Sequence, residues 1–96
     1  MGDMLHQKED IALYRLKRTI RSMMEDVGLG HAWLDCHYHP LSKRVTVKMY
    51  VFHAHPVHIV VETIMDNVFP FDLLMSHKGW QEMIATLTKQ CQDAKK

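Results

Sequence analysis

The sequence predicts an α+β domain in the order helix, two-stranded antiparallel hairpin, helix, helix. Three observations carry this. Apolar residues recur at three- and four-residue steps near both ends of the chain. Two runs rich in aromatic and β-branched residues flank Pro40-Leu41-Ser42-Lys43. Glycine and proline punctuate the boundaries between these segments.

The first helix is expected from about Lys8 to Val27. Leu13, Leu16, Ile20, Met24 and Val27 form one stripe, with Arg15, Arg18, Ser22 and Glu25 opposite. Gly28 follows at once and suits the left-handed position that ends a helix.

The hairpin pairs Ala32–His39 with Val45–Phe52 across a four-residue loop. Side chains fix its register. With Tyr38 opposite Val45 and Cys36 opposite Val47, the residues Ala32, Leu34, Cys36 and Tyr38 share a face with Val51, Met49, Val47 and Val45. The other face then pairs Trp33 with Tyr50 and Asp35 with Lys48. A one-residue slip would set valines against Asp35 and His37.

The segment from Val57 to Val68 is β-branched, yet Val57, Val60, Val61, Ile64, Met65 and Val68 fit a helical face, and Pro56 suits a first helical turn. It reads as a helix stopped by Pro70, with a third strand as the alternative. Phe69 to Met75 reads as a short apolar link. The last helix starts near Ser76, its N-cap, and carries Trp80, Met83, Ile84, Leu87 and Cys91 as its stripe. Lys89, Lys95 and Lys96 favour its C-terminal end.

With 96 residues, one small domain spanning 1–96 is expected. A net charge of +1 gives no overall field toward nucleic acid or anionic lipid. No apolar run has the length of a membrane span, and the N-terminus lacks the basic start and apolar core of a signal peptide. Gly2 follows Met1, but His6 stands where myristoylation needs Ser or Thr. Cys36 and Cys91 match no CxxC spacing and are expected to be reduced thiols in a cytoplasm.

The eight histidines and eight methionines are the unusual feature of the composition. Met24, Met49, Met65 and Met83 fall on core stripes as gap-fillers. His37 and His39 belong to the loop end of the hairpin. His53, His55 and His58 cluster at its open end, where three imidazoles are a candidate zinc site, with Glu62 as a further ligand. Against this stands a helix-capping role for His55 beside half-exposed neighbours. No cofactor is otherwise expected. Both cysteines fall among apolar residues and lack a base in reach, and no GxSxG, phosphate loop or HExxH is present, so no catalytic residues are assigned.

Arg15, Lys17, Arg18 and Arg21 form a basic stretch that can contact phosphates, but Glu9, Asp10, Glu25 and Asp26 balance it and no aromatic platform interleaves it. The stronger signal is surplus apolar surface. One hairpin face can be covered by the first and last helices. Trp33, Tyr50 and Phe52 lie on the other, and Phe69 and Phe71 add bulk nearby in sequence. Packing of the 69–75 segment over Trp33 and Tyr50 would satisfy them internally. Otherwise they form a patch of the kind that marks a partner site. The open hairpin edges can likewise be completed by a dimer partner or a captured strand. The expectation is a small non-enzymatic regulator, adaptor or inhibitor that binds another protein through Trp33, Tyr50, Phe52, Phe69 and Phe71, rimmed by Arg15 and Arg18, with a homo-oligomer as one way to use this surface. The alternatives are zinc binding and nucleic-acid association.

Overall fold

The computed structural model describes the backbone of residues 3–95 and the side chains of residues 8–94. Met1, Gly2 and Lys96 lie outside these, as do the His6 and Lys95 side chains, and with them the N-terminal motif readings and part of the C-terminal charge reading. Helix α1 (Asp3–Asp26) is followed by strands β1 (Trp33–His39), β2 (Arg44–Ala54) and β3 (Ile59–Pro70), a single helical turn α2 (Asp72–Met75) and helix α3 (His77–Lys95). The class is α+β, with three strands rather than two.

Helix α1 ends as its sequence dictates. Gly28 has φ of 82°, and the Leu29 amide donates to the Met24 carbonyl at 2.7 Å, closing the last turn. The hairpin register is the one that side-chain matching requires. Trp33 faces Tyr50, Asp35 faces Lys48, Cys36 faces Val47 and Tyr38 faces Val45. At the β1–β2 turn the Lys43 amide donates to the His39 carbonyl at 2.8 Å, with Lys43 at φ 56°.

The helix expected over 57–68 is instead β3, antiparallel to β2. Pro56 and Val57 occupy the centre of a tight turn whose closing bond runs from the His55 amide to the His58 carbonyl at 2.8 Å. Proline suits the second position of such a turn as well as it suits a first helical turn. A register shift beside Met49 and Tyr50 inserts Ile64 as an extra residue, so Ile64 and Met65 both contribute to the core. The sheet order is β1-β2-β3, so β3 completes in the same chain one of the open hairpin edges.

Helices α1 and α3 pack on one sheet face. The core joins Leu16, Ile20 and Met24 of α1, Val45, Val47 and Met49 of β2, Met65 of β3, and Met83, Leu87 and Cys91 of α3. Two polar ties bind the layers. Asn67 and Gln90 exchange reciprocal amide hydrogen bonds at 2.6 and 3.1 Å, linking β3 to α3. The Arg15 guanidinium lies 4.1 Å from the Trp80 ring centroid, linking α1 to α3. Ser76 caps α3 as expected, its Oγ accepting from the Gly79 amide at 3.0 Å.

Past Met49 and Met65 the β2–β3 hairpin outruns the helices. Every residue from Phe52 to Thr63 is exposed. The extents are 48 × 29 × 20 Å. The radius of gyration is 14.8 Å, against about 12.5 Å for a compact chain of this length.

Candidate interaction face

Alternation along the strands sends odd and even residues to opposite sides. The side away from the helices carries four successive rows of cross-strand neighbours: His37, Thr46 and Val68; Asp35, Lys48 and Asp66; Trp33, Tyr50 and Thr63; then Phe52 with Val61. Ala54 with Ile59 continues it onto the arm. Among the described residues no element covers this face.

Its apolar half is exposed and internally organised. Trp33 is 65% exposed, Phe52 48%, Val61 51% and Ile59 68%. The Trp33 and Phe52 rings meet edge-to-face at 5.8 Å between centroids and 83° between planes, the favoured geometry for an aromatic pair. Tyr50, the cross-strand partner of Trp33, is half-buried. The charged row Asp35–Lys48–Asp66 borders this strip, with the lysine flanked on both sides by carboxylates.

The structure thus brings together Trp33, Tyr50 and Phe52 but separates the other residues grouped with them. Phe69 sits opposite Val45 on the helix side of the sheet, half-buried against the core. Phe71 is buried there, its ring 4.9 Å from that of Tyr38. The 69–75 segment therefore closes the core and leaves Trp33 and Tyr50 uncovered. Arg15 and Arg18 project from α1, across the sheet from the strip, and cannot rim it. Val61 and Ile59, absent from the residues singled out in the sequence, complete the strip because β3 is a strand.

The histidine cluster is divided. His53 Nε2 donates to Glu62 Oε1 at 2.9 Å, on the opposite side of the arm from Phe52, and the His55 and His58 rings stack at 4.9 Å beside the turn. Glu62 does reach the cluster, through His53 and not through a helical turn beyond His58. Among the described residues no three histidine, cysteine, aspartate or glutamate side chains stand close enough to hold a metal ion. Lys17, Arg18 and Arg21 line a shallow depression on α1 together with Tyr14, Ser22 and Glu25. No helix among the described residues is long and apolar enough to cross a membrane.

Both thiols are buried. Burial pushes Cys36 from the ordinary 9.0 up to about 11, with Asp35 adding to the rise and Lys17 opposing it. Burial also raises Cys91. A raised thiol pKa leaves almost no thiolate near neutrality. Neither thiol is expected to react with a thiol-specific reagent at pH 8 in the native protein, and both should react once it is denatured; a fast-titrating native thiol would contradict the packing. Since the unfolded chain ionises these thiols first, stability should also fall as pH rises above 9.0 toward 11.

No family model, curated protein or solved structure is significantly similar to the chain.

Proposed function

We propose that this protein works without catalysis, as a small regulator, adaptor or inhibitor that binds another protein through the outer face of its sheet. The observation that supports this reading is the exposed strip Trp33–Tyr50–Phe52–Val61–Ile59, on the face opposite both packed helices. Large rigid aromatics are the side chains that most often dominate protein interfaces. A contiguous apolar surface bordered by a polar row is the usual form of such a site. The Asp35–Lys48–Asp66 row supplies that border.

The deciding substitution is Trp33→Ala. Its side chain is 65% exposed, so the folded domain should lose no more than the aromatic contact with Phe52, about 1 kcal/mol. Partner affinity should fall by at least about thirtyfold, the effect of a central interface aromatic. The test isolates the bound protein by affinity capture and then titrates it against wild-type and variant chains, with thermal unfolding in parallel. Retained affinity, or a variant that fails to fold, contradicts the reading.

A further inference from the structure

We propose that the free edge of β3, where the arm leaves the helices, pairs antiparallel with the same edge of a second copy, with the two-fold axis at Val60. Two three-stranded sheets would then become one sheet of six strands. The pairing shares Ile59 and Val61 with the outer strip but leaves Trp33, Tyr50 and Phe52 free, so Trp33→Ala and Glu62→Lys separate it from the partner-binding reading.

Among the described residues strand β3 has one neighbour, β2, and its other side is open. Edge strands are normally guarded by lysine, proline or a bulge. From Val57 to Thr63 there is no lysine, no proline and one charge, Glu62, while the bulge at Ile64 lies beyond. The segment is also strongly β-branched, which favours strand pairing.

Backbone alternation fixes which groups are available. The closing bond from the His55 amide to the His58 carbonyl makes 55 and 58 a hydrogen-bonded pair. Such pairs alternate along an antiparallel ladder. His53 with Val60 and Val51 with Glu62 are then the next bonded pairs, so Val60 and Glu62 spend their amides and carbonyls on β2. Ile59, Val61 and Thr63 direct theirs to the open edge.

A second β3 can dock only in registers that match these outward residues with one another. Side chains choose among them. Centring on Glu62 sets two carboxylates face to face, and centring on Val61 sets Val60 against Glu62. Centring on Ile59 sets His58 against Val60. With the axis at Val60, Ile59 meets the partner copy's Val61 on the outer face, Val60 meets its own equivalent, and His58 meets Glu62. The two-fold axis repeats each of these contacts. Glu62 is available for this, its side chain being 63% exposed although it also accepts from His53.

Surface area agrees. The chain exposes 6889 Å². A compact monomer of 11.3 kDa exposes roughly 5,700 Å². The surplus of roughly 1,200 Å² exceeds the ~800 Å² that each partner gives to an ordinary stable interface. Much of the exposed apolar surface is on the arm, with Val57 at 88%, Ile59 at 68% and Val61 at 51%.

Sedimentation equilibrium of the full chain over a dilution series tests the proposal. A species of twice 11.3 kDa is expected. Glu62→Lys should weaken it by about tenfold, since it removes the imidazole–carboxylate pair from both symmetry-related positions. Adding His58→Glu should restore it. Within one chain, positions 58 and 62 lie four residues apart along an extended segment and cannot touch, so the rescue reports pairing between copies. Val61→Pro removes an outward amide and spares the β2 ladder, so it should give a monomer with unchanged circular dichroism. A monomer at every concentration overturns the proposal. So does a dimer indifferent to both Glu62→Lys and Val61→Pro, or one abolished by Trp33→Ala but not by Glu62→Lys.

Discussion

Leu87→Ala is expected to destabilise the domain by about 3 kcal/mol, the largest loss among single truncations on α3. Leu87 is 0% exposed. It belongs to the cluster where Leu16 and Ile20 of α1 meet Val45, Val47 and Met49 of the sheet. Truncation removes its burial and leaves a cavity that two packed layers cannot close, because each neighbour is held by its own element. A domain of this size has only about 5–10 kcal/mol in total. The thermal midpoint should therefore fall by at least about 12 °C. Urea unfolding should show a lower midpoint with an unchanged slope, the sign of lost stability without a changed unfolded state. A loss below about 1 kcal/mol would mean that α3 does not seat its Met83–Leu87–Cys91 stripe on the sheet. Trp33→Ala is the matched contrast: a larger side chain removed, with a smaller effect, because its surface is already in water.

That contrast follows from the part of the fold that the sequence specifies most strongly. In β1 and β2 one face is apolar and the other mixed, so a slip of one residue in β1 would turn Asp35 and His37 toward the inward-facing valines of β2 and expose Cys36. The observed register avoids this. The placement of Trp33, Tyr50 and Phe52 on a single face was legible for the same reason. Strand β3 lacks this asymmetry. Val60 points to one side, Ile59 and Val61 to the other, and Ile64 and Met65 both turn inward at the bulge. A run that is apolar on both sides fits the helical period as well as the strand period, and periodicity cannot separate them. The more telling signal was composition. Val57, Ile59, Val60, Val61, Thr63 and Ile64 are all β-branched, and β2 offered a ladder to join.

The consequences for the candidate face came from that ambiguity. With 57–68 taken as a helix, Val61 and Ile59 had no reason to extend the aromatic strip. Phe69 and Phe71 could be counted with it only because nothing fixed the side of the sheet they would reach. Once β3 pairs with β2, Phe69 falls opposite Val45 and is drawn inward. Phe71 follows it round the corner onto Tyr38. The same pairing explains the division of the histidines. A strand-to-helix corner would have let His53, His55 and His58 converge. A hairpin turn instead puts His53 beside Glu62 and stacks His55 on His58.

Gly79→Ala is expected to destabilise the protein by about 2 kcal/mol, although helix propensity alone predicts the opposite. In an exposed helix interior, alanine is better than glycine by about 1 kcal/mol. Gly79, however, is buried in the first turn of α3. A Cβ there would stand 2.6 Å from Ser76 Oγ and 2.9 Å from the Leu73 Cα, closer than real methyl groups approach either atom. The serine hydroxyl cannot simply rotate away, because it accepts the Gly79 amide hydrogen bond at 3.0 Å that caps the helix. The Leu73 contact is to backbone, within the single turn of α2 whose Leu74 is buried in the core. Relief therefore requires loss of the cap, about 1 kcal/mol, together with displacement of α2 against α3, which as an overpacking strain costs about 1–3 kcal/mol. These terms outweigh the gain in propensity. Ser76→Ala separates them, since it removes the cap and its oxygen together: alone it should cost about 1 kcal/mol, and in its presence Gly79→Ala should be less harmful than in the wild type. Denaturant unfolding of the two single variants and the double variant gives the coupling directly. A stabilising Gly79→Ala, or strictly additive losses, would show that the α2–α3 corner is not packed as closely as these distances require.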